Sequence, residues 1–181
     1  MIRLKHLLTE IESNDLAQLL DKIKNKQFRL FGQGDNGRVY EIDDTDLLFK
    51  ITDESAEYEV ASVIIGRSQE FSTFIPVHYV DGKNMYILSK ANPLSGQQTN
   101  DIESFLTQFK EFARSEGGEV SIFDYLDTDG ARSSAEYLVN FLRALQQDIQ
   151  KTGIADLDLD LDFKTDNVMV WQGKLVLIDW W

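Results

Sequence analysis

Residues 32–39 read Gly32-Gln33-Gly34-Asp35-Asn36-Gly37-Arg38-Val39, three glycines at G-x-G-x-x-G-x-V spacing, and the chain leaves them as a strand. That exit constrains the fold more than any other feature. In a dinucleotide-binding unit the glycines open a helix, whereas Arg38-Val39-Tyr40-Glu41-Ile42 continues in extended form. The glycines are therefore expected at the tip of a hairpin, where a backbone without side chains lets N–H groups approach phosphates. Taken alone, the spacing suits an ordinary hairpin as well as a nucleotide cradle.

Short strands surround the hairpin. Segments 27–31, 38–42 and 47–52 read as extended, with turn chemistry in Asp43-Asp44-Thr45-Asp46. Residues 54–66 read as a helix with Ala56, Val60, Val63 and Ile64 on one face, and 75–80 and 85–89 as strands joined by Asp81-Gly82-Lys83-Asn84. Ahead of them, residues 2–24 carry a helical apolar stripe interrupted at Ser13-Asn14-Asp15, with Asn14 as N-cap of its second part. That stripe is expected to pack on the domain that follows. Beyond Pro93 the pattern turns helical. Segment 101–115 carries Ile102, Phe105, Leu106, Phe109 and Phe112 and ends at Gly117-Gly118, and 119–132 reads as an irregular connection. A further helix, capped by Ser133 or Ser134, runs to about Lys151 with Gly153 just past its end. Strands at 168–171 and 175–178 flank Gln172-Gly173-Lys174. The division expected is a helical extension (1–26), a sheet lobe (27–90) and a helical lobe (91–181).

Charge excludes one class of function. With 31 acidic against 18 basic residues the net charge is −13, which opposes a grip on nucleic-acid phosphates and suits a basic protein partner. No stretch reaches eighteen apolar residues, so no membrane span is expected. The N-terminus lacks the apolar core of a signal peptide, and the absence of cysteine removes disulfides and thiolate metal sites. A cytoplasmic location is the expectation.

Two further groups of residues carry chemistry. Lys50, in Leu47-Leu48-Phe49-Lys50-Ile51, lies one strand after the glycine hairpin. An ammonium there reaches phosphates when a carboxylate from the next helix holds it. Glu57 and Glu59 both qualify and the residues alone do not choose; the Glu59-Val60 context favours Glu59. Near the end, Asp162-Phe163-Lys164-Thr165-Asp166-Asn167 makes D-x-K-x-x-N, followed by a hairpin and then Asp179. Phosphoryl transfer needs a carboxylate near the attacking hydroxyl and oxygen ligands for Mg²⁺. The alternating run from Asp156 to Asp162 fails as a calcium loop, because Leu161 and Asn167 stand where such a loop needs Gly and Glu. His6 and His78 have no metal-ligand spacing and read as structural.

These motifs, in this order, resemble the protein-kinase-like superfamily over residues 28–181, and the stretch from Asp162 to Met169 resembles the small serine/threonine kinases of T7-like bacteriophages. The resemblance implies an α+β fold with an antiparallel N-lobe carrying one helix and a truncated, mostly helical C-lobe. It implies ATP and Mg²⁺ as cofactors and a protein substrate or regulated partner. Gly32, Gly34, Gly37 and Val39 would cover the phosphates, and Lys50 would pair with Glu59. Asp162 would be the catalytic Asp with Lys164 beside it. Asn167 and Asp179 would hold Mg²⁺, and residues 89–93 would meet adenine. The departures are specific. Asp160-Leu161-Asp162 replaces His-Arg-Asp, Trp180 follows Asp179 where DFG has Phe, and an activation segment and Ala-Pro-Glu motif are missing from the sequence. Alternatives are therefore a catalytically weak pseudokinase that senses nucleotide, an acidic inhibitor of a partner, and a small-molecule kinase of the aminoglycoside-phosphotransferase type. The last shares the Asp-to-Asn spacing but has a larger C-lobe.

Overall fold

The computed structural model describes residues 13–34, 37–118, 120–152 and 163–179. The chain forms two compact units. One takes in the chain to Phe71 and Ile75–Lys90, and the other takes Ser72–Phe74 and the chain from Ala91 on.

Among the described residues the first unit is a five-stranded antiparallel sheet between two helices. Helix α1 (Ser13–Lys24) is followed by β1 (Phe28–Gly34), β2 (Gly37–Ile42), β3 (Leu47–Thr52), α2 (Ser55–Ile64), β4 (Val77–Val80) and β5 (Met85–Ser89), with strand order β1-β2-β3-β5-β4. Register assigns the faces. Val39 lies opposite Lys50 and Lys50 opposite Tyr86, so these three side chains share one face. Tyr40, Phe49 and Ile87 share the other. On that second face Leu16, Leu19, Leu20 and Ile23 of α1 pack against Ile42, Phe49 and Ile87, and Tyr40 stacks on Phe49 at 4.8 Å between ring centres. The apolar stripe at 16–23 thus covers the sheet, as its period requires. Asn14, expected as an N-cap, lies inside α1, and the stripe at 2–11 falls outside the described residues. On the opposite face α2 turns inward with Val60, Ala61 and Ile64. With both faces covered, Leu48, Phe49 and Lys50 are buried in succession, and the alternation expected of a half-exposed strand is lost.

The second unit is mostly helical: α3 (Gly96–Ser115), α4 (Ile122–Tyr125), α5 (Asp129–Arg132) and α6 (Glu136–Thr152), then a 3₁₀ turn (Thr165–Asn167) and the hairpin β6 (Val168–Trp171) and β7 (Lys174–Leu177). Helix α3 begins five residues earlier than its apolar stripe suggests, because Ser95 and Gln98 close a capping box. The connection expected to be irregular holds two short helices, each started by a hydroxyl cap, Ser121 on Phe123 N and Thr128 on Ala131 N. They bury Tyr125 and Ala131, and Tyr125 is ringed by Phe105, Phe109 and Phe112 at 5.3–5.9 Å. The aromatic stripe of α3 is core. Neither Ser133 nor Ser134 caps α6, which starts at Glu136, since the Ser133 hydroxyl donates back to Gly130 O. Gly153 lies outside the described residues.

The inserted segment Ser72–Phe74 is stitched into this second unit. Thr73 donates its backbone N–H and its hydroxyl to Asp148 Oδ2 of α6 at 3.1 and 2.9 Å, and its carbonyl accepts from Leu177 N at 2.7 Å. Phe74 pairs with Leu177 in a parallel bridge. The architecture, an antiparallel sheet unit with one helix between its third and fourth strands followed by a mostly helical unit, is the α+β arrangement expected above.

Candidate functional site

The first cluster grows from the inner face of the sheet. Lys50 points into the side covered by α2 and is 6% exposed, and its Nζ lies 2.5 Å from Glu57 Oε1. Glu57 is fully buried and receives more than the ammonium. Tyr86 donates its hydroxyl to Oε1, and Thr52 donates to Oε2 at 2.7 Å. The same Thr52 oxygen accepts from Glu54 N at 3.1 Å, at the N-terminus of α2. A buried carboxylate survives only with such partners on its oxygens.

The partner expected for Lys50 is therefore corrected. Glu59 is exposed and points away, and Glu57 makes the pair. The helical period explains it once the buried residues fix its phase. Glu57 lies three, four and seven residues before Val60, Ala61 and Ile64, all buried, so it shares their face. Glu59 is two residues further round and turns to solvent.

At the glycine hairpin the three glycines divide by role. A Cβ on Gly32 or Gly34 would meet no atom within 4 Å, so these positions leave open space above the backbone. A Cβ on Gly37 would lie 2.3 Å from Ile51 O on the next strand. Gly37 is thus demanded by close strand approach, whatever binds at the tip. A hollow of about 280 Å³ beside the hairpin is lined by Gln33, Arg38, Tyr40, Ile51 and Asp53 among others. By register Arg38, Tyr40 and Ile51 belong to the face away from Lys50. That hollow is not on the Lys50 side of the sheet.

One sheet row from Lys50, on the same inner face, lies Glu41. It accepts from Lys90 Nζ at 2.5 Å and from Arg29 Nε at 2.7 Å, and these two cations hold its carboxyl below the ordinary range. Sequence reading assigned no role to Arg29 or Glu41, and named Lys90 only within the segment expected to meet adenine. Further along, the residues expected to meet adenine have committed backbone donors: Lys90 N donates to Asp46 O at 2.9 Å and Asn92 N to Val170 O at 2.8 Å. His78, read as structural, lies 2.8 Å from Ser89 Oγ through Nε2, and burial lowers its pKa. His6 is outside the described residues.

In the second unit the hairpin brings Asn167 and Asp179 to one end. Val168 pairs with Leu177, and Ile178 N donates to Asn167 O at 2.9 Å, so the two residues flank the open end of β6 and β7. Asn167 is 4% exposed and held by the 3₁₀ turn, its N–H donating to Lys164 O at 3.1 Å. Among the described residues no group of three or more His, Asp or Glu could hold a metal ion unaided. One amide and one carboxylate fit Mg²⁺, which usually keeps waters and takes substrate phosphates beside one or two protein oxygens. Lys164 is exposed at the start of the turn. Asp162, and with it the run from Asp156, lies outside the described residues. A separate cavity of about 530 Å³ is lined by Ser72, Thr73, Gln98, Tyr137, Asn140 and Lys174 with apolar neighbours, and by none of the motif residues.

No protein-family model matches the chain, and no curated protein matches it. Among solved structures it is similar to the streptomycin–ATP–APH(2")-IIa ternary complex, with 12% identity over 95% of this chain and 71% of that one, at a TM-score of 0.39. No helix among the described residues is long and apolar enough to cross a membrane. What the site can do follows from its own residues.

Proposed function

We propose that the chain is a phosphotransferase using ATP and Mg²⁺, a minimal serine/threonine protein kinase of the phage type acting in the cytoplasm on a host protein. The observation that carries this reading is the buried Lys50–Glu57 pair one strand after an open glycine hairpin. Buried ion pairs are poor stabilisers compared with apolar packing of the same volume. An ammonium kept on the inner face by a carboxylate suits phosphate binding better than it suits a core.

Each residue then has a part. Lys50 would hold phosphate oxygens, and the Gly32 and Gly34 backbone would lie close over them with Val39 beside. Asn167 and Asp179 would hold Mg²⁺, which neutralises charge on the phosphates when bound. Asp162 would orient the attacking hydroxyl, with Lys164 adjacent. Preorganised charge of this kind supplies most of the catalysis in phosphoryl transfer.

A second reading is favoured by one feature: Asp160-Leu161 stands in place of the His-Arg of the kinase loop. On that reading the chain senses nucleotide and regulates a basic partner with little turnover. Incubation with γ-labelled ATP and Mg²⁺, with and without host lysate, separates the two when run beside Lys50→Ala, Asp162→Ala and Asp179→Ala. Transfer by the wild type and loss in all three variants supports the kinase. No transfer, together with thermal stabilisation by Mg·ATP, leaves the sensor, and no stabilisation overturns both.

A further inference from the structure

We infer that Tyr86 and Thr52 are positioning residues, holding Glu57 and through it Lys50 in the pose that binds phosphate. This inference rests on the nucleotide-binding reading above and specifies how the fold secures its lysine.

The placement follows from sheet register. Tyr86 lies directly across from Lys50 on β5, and Thr52 is two residues beyond Lys50 on β3, so all three share the inner face. Glu57 enters that face from α2. Its two oxygens are held from different strands, Oε1 by the Tyr86 hydroxyl and Oε2 by the Thr52 hydroxyl. A carboxylate gripped at both oxygens cannot rotate about its own bond, so the direction it offers to Lys50 Nζ is set. The Thr52 hydroxyl is itself oriented. Its oxygen accepts from Glu54 N, which leaves its single proton for Glu57.

The same helix is fastened elsewhere by groups of the sheet unit. Tyr58 takes the Gly82 N–H of the β4–β5 turn at 2.5 Å, and just past the helix end Gly66 N donates to Val77 O at 3.0 Å. Helix α2 is thus tied at its start, along its length and at its end. Packing alone would need none of this, because Val60, Ala61 and Ile64 already supply an apolar inner face. The hydroxyls converge on the one charged position of that face. A helix so tied presents its carboxylate constantly rather than swinging it in on a signal, and nucleotide binding through Lys50 is expected to need no prior modification.

The test measures binding of Mg·ATP and of adenosine by calorimetry on the full chain, for the wild type, Tyr86→Phe, Thr52→Val and Thr52→Ser. Tyr86→Phe and Thr52→Val should each weaken Mg·ATP by about tenfold, as expected when a hydrogen bond to a charged group is removed, while adenosine binding is unchanged. Thr52→Ser keeps the hydroxyl and should restore Mg·ATP affinity to near the wild-type value. Equal losses for ATP and adenosine, or no loss for either, overturn the inference. Should Tyr86→Phe fail to fold, judged by its thermal transition, the Thr52 pair decides alone. A wild type that binds neither ligand overturns the nucleotide reading itself, a result distinct from variants that bind as the wild type does.

Discussion

Glu57 is an exacting residue of the first unit, since removing it takes a buried carboxylate from an ammonium and two hydroxyls. Glu57→Ala should lower stability by about 3–5 kcal/mol in urea unfolding, the cost of breaking one side of a buried pair. Glu59→Ala, on the exposed face, should stay within about 0.5 kcal/mol and leave Mg·ATP affinity intact. The sequence shows that a carboxylate near the start of α2 meets Lys50 but identifies it only when the helix phase is counted from the buried residues, and that phase depends on which apolar positions turn inward. Ala56 and Val63 look as suitable as Ala61, yet both are only partly buried. In the second unit Tyr137 gives a pH-dependent signal. Partial burial and its 2.8 Å hydrogen bond to Asp101 raise its pKa from 10 to about 12. Below pH 10 both folded and unfolded states keep the proton, so the contribution is full. Above that the unfolded chain ionises first, and stability falls until about pH 12. Absorbance titration should show a late-ionising tyrosine that Tyr137→Phe removes and Asp101→Asn moves to lower pH.

Among the elements, the glycine hairpin separates structure from binding. Gly37→Ala forces a Cβ against Ile51 O and should cost at least about 1–3 kcal/mol as β2 and β3 shift apart. Gly32→Ala and Gly34→Ala meet no atom and should fold as well as the wild type, yet weaken Mg·ATP if phosphates lie above them. Thermal unfolding and calorimetry on the three variants check both halves. Hairpins and long helices are readable in this sequence because turn residues and apolar period act locally: Asp81 folds its turn by accepting from the N–H groups of Lys83, Asn84 and Met85. The start of α3 also had a local signal, Ser95-Gly96-Gln97-Gln98, which an apolar stripe does not reveal. The short helices α4 and α5 depend on burying Tyr125 and Ala131 against distant residues, and a four-residue helix has too little period to be seen.

At the scale of the whole molecule, the chain does not divide at a single point. Ser72–Phe74 is counted with the second unit although both flanks lie in the first. Nothing in Ser72-Thr73-Phe74 marks it as an insertion, since its role is defined by Asp148 and Leu177, remote in sequence. Asp148→Ala should leave the Thr73 N–H without its acceptor and cost about 1–3 kcal/mol, read by urea unfolding. Conversely, Asp148 is the buried acid in α6 that this segment explains: it is 3% exposed, and besides Thr73 it accepts from Lys151 Nζ at 3.1 Å. The three-residue segment has a practical consequence for anyone who cuts this protein. A fragment beginning at Ala91 would lack the segment Ser72–Phe74 that Leu177 and Asp148 hold, and a fragment ending at Lys90 would carry that segment without them. Expressed together, the two halves should find each other through this three-residue clasp, which makes the bond after Lys90 a natural place for a split reporter.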